Sequence, residues 1–362
     1  MSKRNEKVNL VLEDGSVYEG LSFGGDVPAY GEVVFNTGMT GYQETLTDPS
    51  YVGQIVVCTY PIIGNYGVNK EDMQSDGVKV AGFVVREQCD VPSHSQSVST
   101  LHEYLKSGKV PGIYGIDTRA LTRRLRSEGV MMGMITGDAP EKALKEMKKM
   151  PRYEDIDYVK RVGAKKIYKW KGDKKGKPLC RIVVVDCGVK YSIMRQLSEL
   201  GCECTVVPST TSAEDILDIK PDGILLSPGP GAPERSYLEE TARGLIGKKP
   251  IMGICMGHQI LGRVFGAKTY KLKFGHRGVN HPVRDIDTGR IHITAQNHGY
   301  AVDGDTLSGG LEVSHININD GTIEGFRHRE HQIFAVQYHC EASPGPMDTV
   351  NIFEEFVTMV RG

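Results

Sequence analysis

The sequence contains no apolar run approaching the roughly 20 residues of a membrane-spanning helix, so a transmembrane reading is set aside. It contains no G-x-x-x-x-G-K-[ST] pattern, since GLIGKKP at 244–250 fails the spacing, and no phosphate-binding loop of that kind is expected. It has no surplus of charge. Lys and Arg number 44, Asp and Glu 45, and the formal net charge of −1 favours neither nucleic acid nor an anionic membrane. The opening stretch MSKRNEKVNLVLEDG has no apolar h-region and is not expected to act as a secretory signal. A cytoplasmic location follows as the expectation, with thiols kept reduced. Of the eight cysteines, Cys202 and Cys204 stand one residue apart, and no second pair at ligand spacing follows them. No metal site is therefore expected.

What the chain does have is length. Its 362 residues exceed the roughly 250–300 at which single cores stop growing, so two domains are expected. Residues 1–150 carry short β-branched runs broken by glycine, such as VNLVLEDGSVYEG, GEVVFNTG and GVKVAGFVVRE, which read as strands and turns. Two helical patterns follow, TRALTRRLRSEG and APEKALKEMKKM, the second ended by Pro151. Met131, Met132 and Met134 read as core, with a contact surface as the alternative. Residues 151–178 crowd ten cations, including Lys174 and Lys175, into little apolar material. They read as a basic, solvated linker, with a binding patch as the alternative. From 179 to 362 strands and helices alternate, beginning with the buried-strand run LCRIVVVDCG. The fold class expected is a mixed, β-rich amino-terminal domain followed by a doubly wound α/β domain, with ligands beyond the carboxyl ends of the strands.

One short stretch concentrates the chemistry. GICMGHQ at 253–259 places Cys255 between glycines where an apolar strand, PIMGIC, gives way to a helix, GHQILGRVFG. That is the pattern of a nucleophile elbow with cysteine in place of serine. A cysteine at a helix N-terminus is favoured as thiolate, and the N–H of Met256 points where an oxyanion would form. The bland alternative is a small buried cysteine in a tight turn. A base is offered by FAVQYHCEASPGP at 334–346. Residues two apart on an extended chain share a face, so His339 and Glu341 should point together while Cys340 packs inward beside Tyr338 and Val336. Base and orienter complete the logic of a Cys–His–acid triad. The loop SPGPGAP at 227–233 ends another strand and reads either as a plain turn or as a second wall of the same site, with the N–H groups of Gly229 and Gly231 free.

GICMGHQ, SPGPG and YHCEASPGP together resemble the class I, triad-type glutamine amidotransferases. The amino-terminal half is similar to the small subunit of carbamoyl phosphate synthetase, in the stretches VVFNTGMTGYQETLTDPSYVGQIVVCTYPIIGNYG (33–67) and GIYGIDTRALTRRLR (112–126). The resemblance covers nearly the whole chain and is weakest across 137–178. It implies Cys255 as nucleophile, His339 as acid and base, and Glu341 as its orienter. It implies glutamine contacts from Ser50, Gly229, Gly231, Met256, Gln259, Asn297, Gly299 and Tyr300, with Ser50 coming from the other domain. Cys340 stands where many members have proline, Ala232 where they often have aspartate, and Tyr300 where phenylalanine is common. The resemblance also implies no cofactor on this chain, a large-subunit partner holding ATP and Mg, and carbamoyl phosphate for pyrimidines and arginine as the joint product. Two rival readings remain: a stand-alone γ-glutamyl hydrolase on the same fold, and a non-catalytic interaction module.

Overall fold

The computed structural model describes residues 4–26, 28–172 and 176–362. They divide into two compact units. The first holds residues up to Ile156 together with Lys273–Gly278, and the second holds Asp157–Leu272 and Val279–Gly362.

The first unit is a closed barrel of seven strands. In hydrogen-bonded order they are Lys7–Leu12, Val17–Gly24, Pro111–Tyr114, Gly82–Val84, Gln54–Cys58, Ala29–Asn36 and Met131–Thr136, the last pairing back onto the first. The two-residue period of a strand sorts the side chains. Val8, Leu10, Leu12, Val33, Phe35, Ile55, Val57, Val84, Ile113 and Ile135 fill the barrel, joined by Leu121 and Leu125 of the helix Thr118–Glu128. Their neighbours in sequence face the other way. Val34, Val56 and Phe83 pack under the short helices Tyr42–Thr47 and Leu101–Ser107, and Val11 and Met134 pack under the helix Pro140–Met147. All three methionines of the 131–134 run are buried.

The second unit is built on a ten-stranded mixed sheet whose centre is parallel. Cys202–Pro208, Cys180–Asp186, Gly223–Leu226, Ile251–Ile254 and Ile333–Val336 run side by side in one direction. Both faces of this centre are covered, which is why its strands read as continuous apolar runs and not as alternations. Ile182 and Val184 join one core with Ile193, Met194 and Leu197 of the helix Tyr191–Glu199 and Phe353 and Phe356 of the helix Asn351–Arg361. Val183 and Val185 join the other with Leu238, Ala242 and Leu245 of the helix Ser236–Leu245 and Ile260, Leu261 and Val264 of the helix Met256–Val264. This is the doubly wound α/β arrangement expected from the sequence. All eight cysteines are free, although Cys180 and Cys202, opposite each other on paired strands, bring their sulfurs to 3.4 Å.

The basic stretch 151–178 departs from the linker expectation. Its first residues are tied into the first unit: Pro151 accepts a hydrogen bond at its carbonyl from the Tyr30 hydroxyl (3.0 Å), and Arg152 pairs with Glu13 at 2.9 Å. Asp157 then caps a helix over Tyr158–Val162 and Val159 is fully buried in the second unit. Tyr168–Lys169 adds an antiparallel edge strand beside Val206 and Thr205, and Trp170 packs on the core. A few aromatic and aliphatic anchors spaced among lysines suffice to fold the segment, and the lysine density hides them from a compositional reading. Lys174 and Lys175 lie outside the described residues. The helix begun at Pro140 ends at Met147, ahead of Pro151.

Candidate active site

The triad, the glycine loop and Lys190 follow the carboxyl ends of parallel strands. Gly223–Leu226 leads into the SPGPG loop, Ile251–Ile254 into Cys255, Ile333–Val336 towards His339, and Cys180–Asp186 into the turn before Lys190.

Cys255 caps the helix Met256–Val264 with φ 51° and ψ −100°, a backbone conformation costly for a residue with a side chain. Two flanking glycines make the turn feasible. A Cβ on Gly257 would stand 2.3 Å from the Leu226 carbonyl oxygen, and one on Gly253 would stand 2.8 Å from the carbonyl carbon of Gly257. The helix can lean onto the strands only because both side chains are missing. Gly257→Ala is accordingly expected to destabilise the fold by about 1–3 kcal/mol, read as a lower urea midpoint. An unchanged midpoint would show that the elbow has room to spare.

The Cys255 N–H is held by the Val336 carbonyl at 2.8 Å, which fixes the sulfur against the neighbouring strand. The N–H groups of Met256 and Gly257 open the helix and have no acceptor within it. The thiol lies 3.8 Å from the Asn297 carbonyl and receives a hydrogen bond from Gln337 Nε2 at 3.5 Å.

His339 is anchored by its own backbone, whose N–H donates to the Ala295 carbonyl at 2.9 Å. Its Nδ1 lies 2.7 Å from Glu341 Oε1, while Nε2 has no hydrogen-bond partner. The pairing was expected from an extended chain, but the strand stops at Val336. His339 makes a single bridge to Ala295 and the chain turns at once, with Ala342 N–H returning to the His339 carbonyl at 3.2 Å. Cys340 is fully buried in the core with Tyr338 and Val336.

Sequence reasoning missed Lys190. It is 1% exposed, and its Nζ sits 2.9 Å from Glu341 Oε1 and 3.1 Å from the Ala342 carbonyl. The signal was a lone cation in DCGVK, directly past a buried strand. The three charges set one another. Burial alone would lower the imidazole pKa of His339, but the Glu341 carboxylate and the Cys255 thiol raise it well above its usual range. Burial alone would raise the pKa of Glu341, but Lys190 and His339 hold it well below the ordinary carboxylate range. The contacts favour the anionic form of Glu341 and the cationic form of His339, with Nε2 as the ring nitrogen on the side of the sulfur.

Of the proposed glutamine contacts, Met256 and Gln259 lie on the nucleophile helix and Asn297, Gly299 and Tyr300 on the strand Ile291–Val302. Gly229 and Gly231 lie in the loop after Leu226, with Gly231 at φ +92°. These belong with the triad in the second unit. Ser50 belongs to the first, in a tight turn where its N–H donates to Asp48 Oδ1 at 2.8 Å and its buried hydroxyl has no partner.

Two family descriptions match the chain. Carbamoyl-phosphate synthase small chain, CPSase domain, covers residues 10–135, and glutamine amidotransferase class-I covers residues 183–359. The carbamoyl phosphate synthase small chain of Fusobacterium nucleatum is 51% identical over 354 residues, covering 96% of each chain. That of Methanopyrus kandleri is 50% identical, covering 97% of this chain and 98% of its own.

The chain belongs to the carbamoyl phosphate synthase small chains.

That of Bacillus cereus is 49% identical, covering 98% of this chain and 96% of its own. Membership of the carbamoyl phosphate synthase small chains accounts for both units, since one family description falls on the barrel and the other on the doubly wound sheet. Among the described residues no helix is long and apolar enough to cross a membrane.

Proposed function

We propose that Cys255, His339 and Glu341 hydrolyse the side-chain amide of L-glutamine. The observation that carries the reading is the strained Cys255 at the elbow, beside an imidazole whose far nitrogen is already bound to a buried carboxylate. As a carbamoyl phosphate synthase small chain, the protein is the glutamine-hydrolysing component of that synthase.

The Cys255 thiolate attacks the amide carbon. The N–H groups of Met256 and a loop glycine, Gly229 or Gly231, hold the oxyanion, each donor contributing about 3–4 kcal/mol in acyl transfer of this kind. The His339 imidazolium gives its Nε2 proton to the departing nitrogen, which leaves as ammonia. The neutral imidazole then takes a proton from water, and hydroxide cleaves the γ-glutamyl thioester to glutamate. Glu341 keeps the ring in place through both transfers, and Lys190 keeps Glu341 ionised. Gln259, with its side-chain N–H groups already committed to Tyr300 and Gln337, has its Oε1 left to accept from the substrate. Asn297, Gly299 and Tyr300 complete the glutamine contacts of this unit.

Ammonia passes to a large-chain partner that holds ATP and Mg and makes carbamoyl phosphate for pyrimidines and arginine. The sequence supports this division, for it has an amide-cleaving constellation and no phosphate loop. The match over 10–135 to the domain specific to these small chains weighs against a stand-alone hydrolase. A glutamine analogue bearing a γ-diazoketone tests the site. It should lose nitrogen and leave one adduct, mapped by mass spectrometry to Cys255 and suppressed by excess glutamine. An adduct on another cysteine, or none, overturns the assignment.

A further inference from the structure

We infer that Gln337 is a positioning residue that joins the glutamine-contacting Gln259 to the reactive sulfur and presents an amide donor to it. The inference rests on the reading of Cys255 as nucleophile.

The polarity of the chain of bonds is fixed at its outer end. The Tyr300 carbonyl can only accept, so the Gln259 group 2.9 Å away is the NH₂ end of its amide. That same nitrogen lies 3.0 Å from the Gln337 side chain, which must therefore offer its oxygen. Gln337 then has no choice but to turn its own NH₂ to Cys255 Sγ, at 3.5 Å. His298 Nδ1 also lies 2.7 Å from the Tyr300 carbonyl, so it too is a donor and does not compete with this orientation. Gln337 is fully buried, and its backbone N–H is held by the Glu324 carbonyl at 2.8 Å. Its side chain cannot swing into water, and an amide donor held at a buried position favours the charged form of its acceptor.

The arrangement has a consequence for glutamine binding. Whatever moves the Gln259 amide moves the oxygen that Gln337 leans on, and so the donor at the sulfur. The substrate-contacting side chain and the nucleophile are linked by two hydrogen bonds running through one residue. A purely structural glutamine would need neither the order of these bonds nor the sulfur at their end.

Other titratable groups near the sulfur are accounted for. His339 faces it, with Glu341 and Lys190 behind. On the nucleophile helix, His258 touches the Gln337 side chain itself, but burial outweighs that contact and pushes its pKa down to about 3, so it carries no charge in the range tested. His298 lies at the Tyr300 carbonyl through Nδ1 and at Gln296 Oε1, 3.0 Å away, through Nε2.

The test is the pH dependence of Cys255 alkylation by iodoacetamide, followed peptide by peptide in the full-length chain. The parent, Gln337→Leu and the near-isosteric Gln337→Glu are compared, with thermal unfolding recorded for each. Loss of one donor to a charged acceptor should slow Gln337→Leu about tenfold near pH 6 and leave it equal to the parent at alkaline pH. Gln337→Glu, which sets a carboxylate beside the sulfur, should shift at least as far in the same direction. Should Gln337→Leu not fold, the Gln337→Glu profile decides. Profiles that superimpose on the parent, with Cys255 still alkylated ahead of the buried Cys340, overturn the role of Gln337 alone. If the parent shows no preference for Cys255, the nucleophile assignment falls first, and this inference falls with it.

Discussion

Cys255→Ser is expected to abolish carbamoyl phosphate synthesis from glutamine by the assembled small and large chains, while synthesis from added ammonia continues at the parental rate. Loss of a nucleophile within a catalytic unit costs on the order of 10⁴- to 10⁶-fold, so glutamine hydrolysis should fall below detection. Serine at this position keeps the elbow, because the strained backbone is set by Gly253, Gly257 and the Val336 carbonyl and not by the sulfur. The imidazole of His339 sits in a site organised around a charge pair with Glu341 and is poised to protonate a leaving group. It is poorly placed to deprotonate an alcohol. The measurement is carbamoyl phosphate formed from each nitrogen source. Parallel loss of both activities would refute the division of labour between the chains.

Glu341→Ala should damage stability as well as catalysis. The carboxylate is fully buried and holds two cations, Lys190 at 2.9 Å and His339 at 2.7 Å. Removing one member of a buried ion pair leaves its partner uncompensated and costs about 3–5 kcal/mol. Removing the group that orients a catalytic imidazole costs up to about 10⁴-fold in turnover. The two losses are separable. Adding Lys190→Met to Glu341→Ala removes the orphaned ammonium and should restore much of the urea midpoint with no recovery of glutamine hydrolysis. If activity recovers with stability, Glu341 has no orienting role.

The same cluster sets a pH window for stability. The folded-state pKa of Glu341 lies below its ordinary value of 4.5, so its contribution is complete above that pH and is lost as pH falls further. The folded-state pKa of His339 lies above its ordinary value of 6.5, so its contribution is complete below that pH and is lost as pH rises through the alkaline range. Glu341→Ala should flatten both limbs.

The elements with strong local signatures were readable in the sequence. The run RIVVVD at 181–186 is apolar on both faces because both faces are covered. The elbow was legible because a cysteine between two glycines at a strand end has few other uses. What could not be read depends on distant partners. Closure of the barrel requires Met131–Thr136 to pair with both Lys7–Leu12 and Ala29–Asn36, across about a hundred residues of sequence, and no local pattern records that. Lys190 and Gln337 look like ordinary polar residues in DCGVK and AVQYH. Their roles exist only once folding brings them to Glu341 and Cys255. The six-residue helix Tyr42–Thr47 is too short to show a period and is held by packing, with five of its residues buried.

The first unit is not a contiguous stretch of chain. Lys273–Gly278 belongs to it, and there the Lys273 carbonyl receives the Val130 N–H at 2.9 Å and the Arg277 carbonyl receives the Thr37 N–H at 3.2 Å. A gene ended after codon 156 would encode a barrel stripped of the acceptors for both amides, and of Phe274, which packs on Phe35. Swapping amidotransferase halves between relatives by a single crossover would fail for the same reason, because the donated half would carry six residues of the other's architecture.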